Sequence, residues 1–153
     1  MTETPNTAFQ DQQTYQPSTA PVGQLNSKRS LLKYILLGIV TLGIYTIVFY
    51  TGISNDINII ASRYDGKKTM HYCLLAFLIG PITIGIGVLV WFHRISGRIG
   101  NELTRRNISY SFGAKDFWLW SILGSLIAVG PFIYIFKLAT ASNMLAEHYN
   151  ING

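Results

Sequence analysis

Three long apolar runs, separated by short polar stretches, set the pattern of this chain. No Asp, Glu, Lys or Arg occurs between Lys33 and Asp56, between Lys68 and Arg94, or between Asp116 and Lys137. Each gap is close to the ~20 residues that an α-helix needs to cross a bilayer. Beyond each run the pattern turns amphipathic. Ile53, Ile57, Ile60 and Tyr64 recur at helical spacing after the first run, and Ile95, Ile99 and Leu103 after the second. The spacing predicts helices whose apolar first half fades into a one-sided second half. Asp65-Gly66 and Asn107 to Gly113 carry the turn residues that end such helices. Ser109 to Phe112 alternates like a short strand.

The runs also resemble one another. Leu42-Gly43-Ile44-Tyr45, Ile84-Gly85-Ile86-Gly87 and Val129-Gly130-Pro131-Phe132 are each followed by aromatic and then polar helical sequence. Gly43, Gly85 and Gly130 lie 42 and 45 residues apart, a period typical of a repeated supersecondary unit. The expected architecture is an all-α integral membrane protein of three related units, about 28–68, 69–113 and 114–150. Each unit is an apolar segment interrupted at Gly or Gly-Pro and continued by an amphipathic polar helix. Residues 1–27 are rich in Gln, Thr, Pro, Asn and Ser, with isolated apolar positions and no period. They are expected to form a disordered tail, because such a segment buries too little apolar area to offset its ordering entropy.

The mid-run glycines leave two topologies open. Gly80-Pro81 and Gly130-Pro131 disfavour a continuous helix. Three kinked spans would each match the bilayer thickness, which favours that arrangement. Three hairpins would instead turn at their glycines and place all polar helices on one side. For spans, Lys and Arg number eight on the side of the N-terminus and four on the other. That excess expects a cytoplasmic N-terminus in a cell membrane.

Composition sharpens the class. The chain is 49% hydrophobic and 12% charged, about half the charge of a soluble domain. The net charge of +5 comes from cations flanking the apolar runs, as at Lys28-Arg29, Lys67-Lys68 and Arg105-Arg106. That placement suits anionic lipid and leaves no basic patch for nucleic acid. Met1 to Asn6 lack the basic start and apolar core of a signal peptide, so the first run is expected to insert and stay. A single cysteine, Cys73, excludes an internal disulfide and a zinc ribbon.

Thr41-Leu42-Gly43-Ile44-Tyr45, the following aromatic pair and the run Ala61-Ser62-Arg63-Tyr64-Asp65-Gly66-Lys67-Lys68-Thr69-Met70 carry a family resemblance. So do Arg98-Ile99-Gly100-Asn101-Glu102-Leu103 and Phe117-Trp118-Leu119-Trp120. The chain resembles a prokaryotic family of small membrane proteins filed as domain of unknown function four-two-three-four, over roughly residues 28–150. Thr46 and Val48 stand where family members often carry Gly and Trp. The resemblance implies a membrane location and a bacterial source, and it carries no functional residues over.

No catalytic constellation is legible. There is no G-x-S-x-G and no phosphate-cradling G-x-x-x-x-G-K. His71, His93 and His148 share no ligand spacing, so no metal or cofactor is expected. Arg94, Arg98 and Arg105 fall on one helical face and are candidates for lipid head-group contact. Asn55, Asp56, Asn58, Asn101, Glu102 and Asn143 are a candidate polar cluster between units. Ser121, Gly124, Ser125 and Ala128 are a candidate helix-packing face, within the chain or in a homo-oligomer. Tyr45, Phe49, Tyr50, Trp91, Phe92, Phe117, Trp118 and Trp120 read as interfacial anchors. The expected function is a non-enzymatic, lipid- or protein-binding scaffold or accessory subunit, possible partners being the bilayer, its anionic lipids and another membrane protein. The alternative is a small transporter or channel, whose sites are built from broken helices and repeats.

Overall fold

Each apolar run doubles back at its mid-run turn. In the computed structural model, which describes residues 20–153, α1 (Leu31–Val40) ends at Thr41 and α2 (Ile44–Asp65) returns beside it. The rings of Tyr34 and Phe49 meet at 4.9 Å, a pairing that needs an antiparallel hairpin. The second unit descends through α3 (Tyr72–Leu74), a π-helical stretch Leu75–Ile79 and α4 (Gly80–Ile82), then returns as α5 (Ile86–Arg105). Here the Trp91 indole donates to the carbonyl of Met70 at 2.8 Å. The third descends through α6 (Ala114–Asp116), a π-helical stretch Phe117–Ile122 and a 3-10 stretch Leu123–Ile127, and returns as α7 (Gly130–Asn152). Phe117 packs on Tyr134 at 5.6 Å.

The first two turns are built alike. Thr41 Oγ1 donates to the carbonyl of Leu37 and accepts from the Tyr45 amide at 2.9 Å; Thr83 Oγ1 does the same with Ile79 and Gly87. Each threonine therefore caps the descending helix and the returning one together. Leu42 and Ile84 (φ 51° each), then Gly43 (φ 92°) and Gly85 (φ 83°), take left-handed backbone. This is where glycine relieves the Cβ clash. Such a reversal cannot continue a helix, and no helix among the described residues is long and apolar enough to cross a membrane. The three-span arrangement favoured above is thus replaced by hairpins.

The returning helices α2, α5 and α7 form a parallel three-helix bundle. Their buried positions superpose in register: Phe49, Trp91 and Tyr134; Ile53, Ile95 and Leu138; Ala61, Leu103 and Ala146. The period is 42 and then 43 residues. That corrects the alignment on Gly130. The counterpart of Gly85 is Ala128, which itself has φ 59°. Gly130 instead lies where a Cβ would run into the backbone of Gly124, within the third hairpin. Four of the eight aromatics expected as interfacial anchors belong to this interior. Phe49, Tyr50, Trp91 and Phe117 are buried, while Trp118 is exposed.

Extended lead-in segments link the hairpins into a ring, at equivalent positions of the three long helices. The Asn58 amide exchanges two hydrogen bonds, each 2.7 Å, with the backbone of Thr69, which leads into the second hairpin. Asn143 does the same for Arg29, ahead of the first, at 2.8 and 2.9 Å. Between them, Gly100 is where the backbone of Phe112 and Gly113 presses against α5, too close to admit a side chain. No strand is present among the described residues. The expected strand at Ser109 to Phe112 is extended, but its neighbour is a helix, so no ladder forms. The expected tail is described only from residue 20. From there it is held on α7: Leu25 exchanges two hydrogen bonds with the Asn150 amide, and the Val22 amide donates to the Tyr149 hydroxyl. Residues 1–19 of the expected tail lie outside the described residues.

Candidate functional site

The hairpin turns gather exposed apolar side chains at one end of the bundle. Leu42 is 94% exposed, Ile84 93% and Ile127 75%. Val40, Ile82 and Leu126 beside them are exposed too. Charge is kept away from this end. Arg94 lies nine residues beyond Gly85 and Lys137 nine beyond Ala128, about 14 Å along each helix. On α2 the first charge is Asp56, about 20 Å from its turn. All twelve lysines and arginines lie outside the three tips.

The expected basic stripe divides. Arg98 turns inward, and its guanidinium donates to Asp65 (2.7 and 3.1 Å), to Asn58 Oδ1 (2.8 Å) and to the carbonyl of Lys67 (2.9 Å). It staples the turn after α2 to α5. Arg105 pairs with Glu102 and lies 3.4 Å over the Tyr64 ring. Arg94 alone of the three is exposed. The physical reason is that carboxylates from α2 and α5 sit within reach of the other two. Burial works against ionisation of Asp65, yet the Arg98 hydrogen bonds, the Lys67 amide and both nearby cations outweigh it and hold the carboxyl below its usual range.

The expected polar cluster also divides. Asn58 and Asn143 are the ring clamps. Asp56 pairs with Arg29 at 2.6 Å, though burial outweighs that cation and lifts its pKa. Glu102 is buried and shared by Arg105 and Arg106, while Asn101 is exposed and Asn55 half-buried. The fully buried Arg106 also meets His148 Nδ1 at 2.9 Å. Burial and the charges of Arg106 and Arg105 depress the pKa of that histidine. Of the expected packing face, Gly124 is buried against Gly130, but Ser125 and Ala128 are exposed and Ser121 is half-buried. No group of three metal-ligating side chains gathers among the described residues.

One feature escaped the sequence reading: a groove of about 930 Å³ on the second hairpin, between α5 and its descending leg. Its tip half is lined by Ile79, Thr83, Ile86 and Val90, and its base half by Lys67, Lys68, Arg94 and Arg98. The sequence signal was the placing of Lys67-Lys68 and Arg94 at the two ends of the second apolar run.

Residues 29–101 match the family model described as a domain of unknown function (DUF4234). Residues 29–101 belong to the DUF4234 family. The match takes in the first hairpin and most of the second, ending within α5, where the resemblance drawn above extended to about residue 150. The third hairpin lies outside the match and is tied to the others by the burial register and the turn at Ala128. No curated protein and no solved structure matches the chain.

Proposed function

We propose that this protein is a non-enzymatic membrane scaffold or accessory subunit whose three hairpin tips sit in one leaflet. The observation that carries this reading is the set of apolar turns at one end, with Leu42, Ile84 and Ile127 almost bare. Leaving such side chains in water costs about 1.5–3 kcal/mol each. The charge-free depth of about 14–20 Å is close to half of a ~30 Å hydrocarbon core. It is too short for a span and suits insertion from one side. The bases then lie at the head groups, and the positive-inside tendency places them in the cytoplasm. The packed axis favours a scaffold over a transporter or channel: Ile53, Ile57, Ile95, Ile99 and Leu138 fill it.

Cysteine labelling tests the topology. In a Cys73→Ser background, single cysteines at 28, 67, 107 and 150 should all react with an impermeant maleimide from the cytoplasmic side. Cysteines at 42, 84 and 127 should be protected from both sides. Reaction of the first set from alternating sides sinks the hairpin reading. Ion or solute flux through the protein in reconstituted liposomes would instead favour the conduit.

A further inference from the structure

The groove on the second hairpin is amphiphilic along its length. From Ile86 to Asn101 it follows about 22 Å of α5. Its tip end is apolar and opens at the level assigned to lipid. Its base end presents Lys67, Lys68 and Arg94, none of which forms an ion pair among the described residues. No Asp or Glu lines it. Asp65, the nearest acid, is already occupied by Arg98. Three cations without a salt-bridge partner at one end of an apolar trough complement an anion that carries a hydrocarbon chain.

We propose that this groove holds one anionic phospholipid, its phosphate on Lys67, Lys68 and Arg94 and one acyl chain along Ile79, Ile86 and Val90. The inference rests on the membrane reading, because only a bilayer delivers such a ligand to the tip end. It goes further in claiming one bound molecule at a fixed place, where surface attraction alone would give a diffuse layer.

The test uses the full chain in nanodiscs of mixed phosphatidylcholine and phosphatidylglycerol, with native mass spectrometry of the released protein. A single phosphatidylglycerol adduct should dominate. Replacing Lys67, Lys68 and Arg94 together by Gln should weaken it by about fivefold per charge, roughly a hundredfold in all. Val90→Phe fills the apolar half and leaves every charge in place, so it should weaken the adduct as well. Soluble glycerol phosphate should not compete. Equal adducts with both lipids, or no effect of either variant, overturns the groove while leaving the membrane reading standing. Failure of the chain to enter nanodiscs at all overturns both.

Discussion

Replacing Arg98 by Gln removes a guanidinium that bonds to Asp65, Asn58 and the Lys67 carbonyl from a nearly buried position. The loss should be about 1.5–3 kcal/mol, since charge-assisted hydrogen bonds are lost and the Lys67 carbonyl and half-buried Asn58 amide keep fewer partners. Denaturation in mild detergent, followed by circular dichroism, measures it; Arg94→Gln should change stability by less than about 0.5 kcal/mol. Sequence spacing put these two arginines on one face. It could not reveal that Asp65, far away in the chain, would claim one and leave the other. His148 offers a second test at this scale. With its pKa held below the ordinary 6.5, it should be neutral at pH 7. Its folded form then takes up a proton less readily than the unfolded form. Stability should therefore be constant above pH 6.5 and fall as the pH drops below it, a dependence that His148→Gln should reduce. An NMR titration placing His148 above 6.5 would refute the assignment.

Turns and clamps decide the elements. Gly43→Ala and Gly85→Ala force a Cβ onto left-handed backbone and should each cost about 1–2 kcal/mol. Ala128→Gly relieves the same strain in the third turn and should be stabilising by about 0.5–1 kcal/mol. Thermal melts of the three variants compare them directly, and a destabilised Ala128→Gly would contradict the register of 42 and 43. The amphipathic returning halves were legible from isoleucine spacing, and the first two turns from the shared Leu42-Gly43-Ile44 and Ile84-Gly85-Ile86. The third was misread because its true turn residue is an alanine, while a conspicuous Gly-Pro sits two residues later. Hairpins could not be separated from spans either, because an apolar run long enough to cross once is also long enough to go halfway and return. Asn58 and Asn143 were legible as polar positions between units but not as clamps, since an amide that grips backbone looks like any polar position on a helix.

The whole molecule closes on itself through the clamp at Asn143, which carries the lead-in of the first hairpin on the last helix. Asn143→Ala should cost about 1–3 kcal/mol by leaving the Arg29 amide and carbonyl without partners. Hydrogen exchange should locate the loosening at α1 and the adjoining stretch of α7, with α5 little affected. That closure has a consequence for chain order. Leu25 and Asn150 are bonded neighbours, so the ring has no privileged first hairpin. A circularly permuted chain, joined by a short linker between residues 153 and 20 and opened in the exposed turn at Gly66-Lys67, keeps every helix whole. It would translate the second hairpin first and still complete the same circuit.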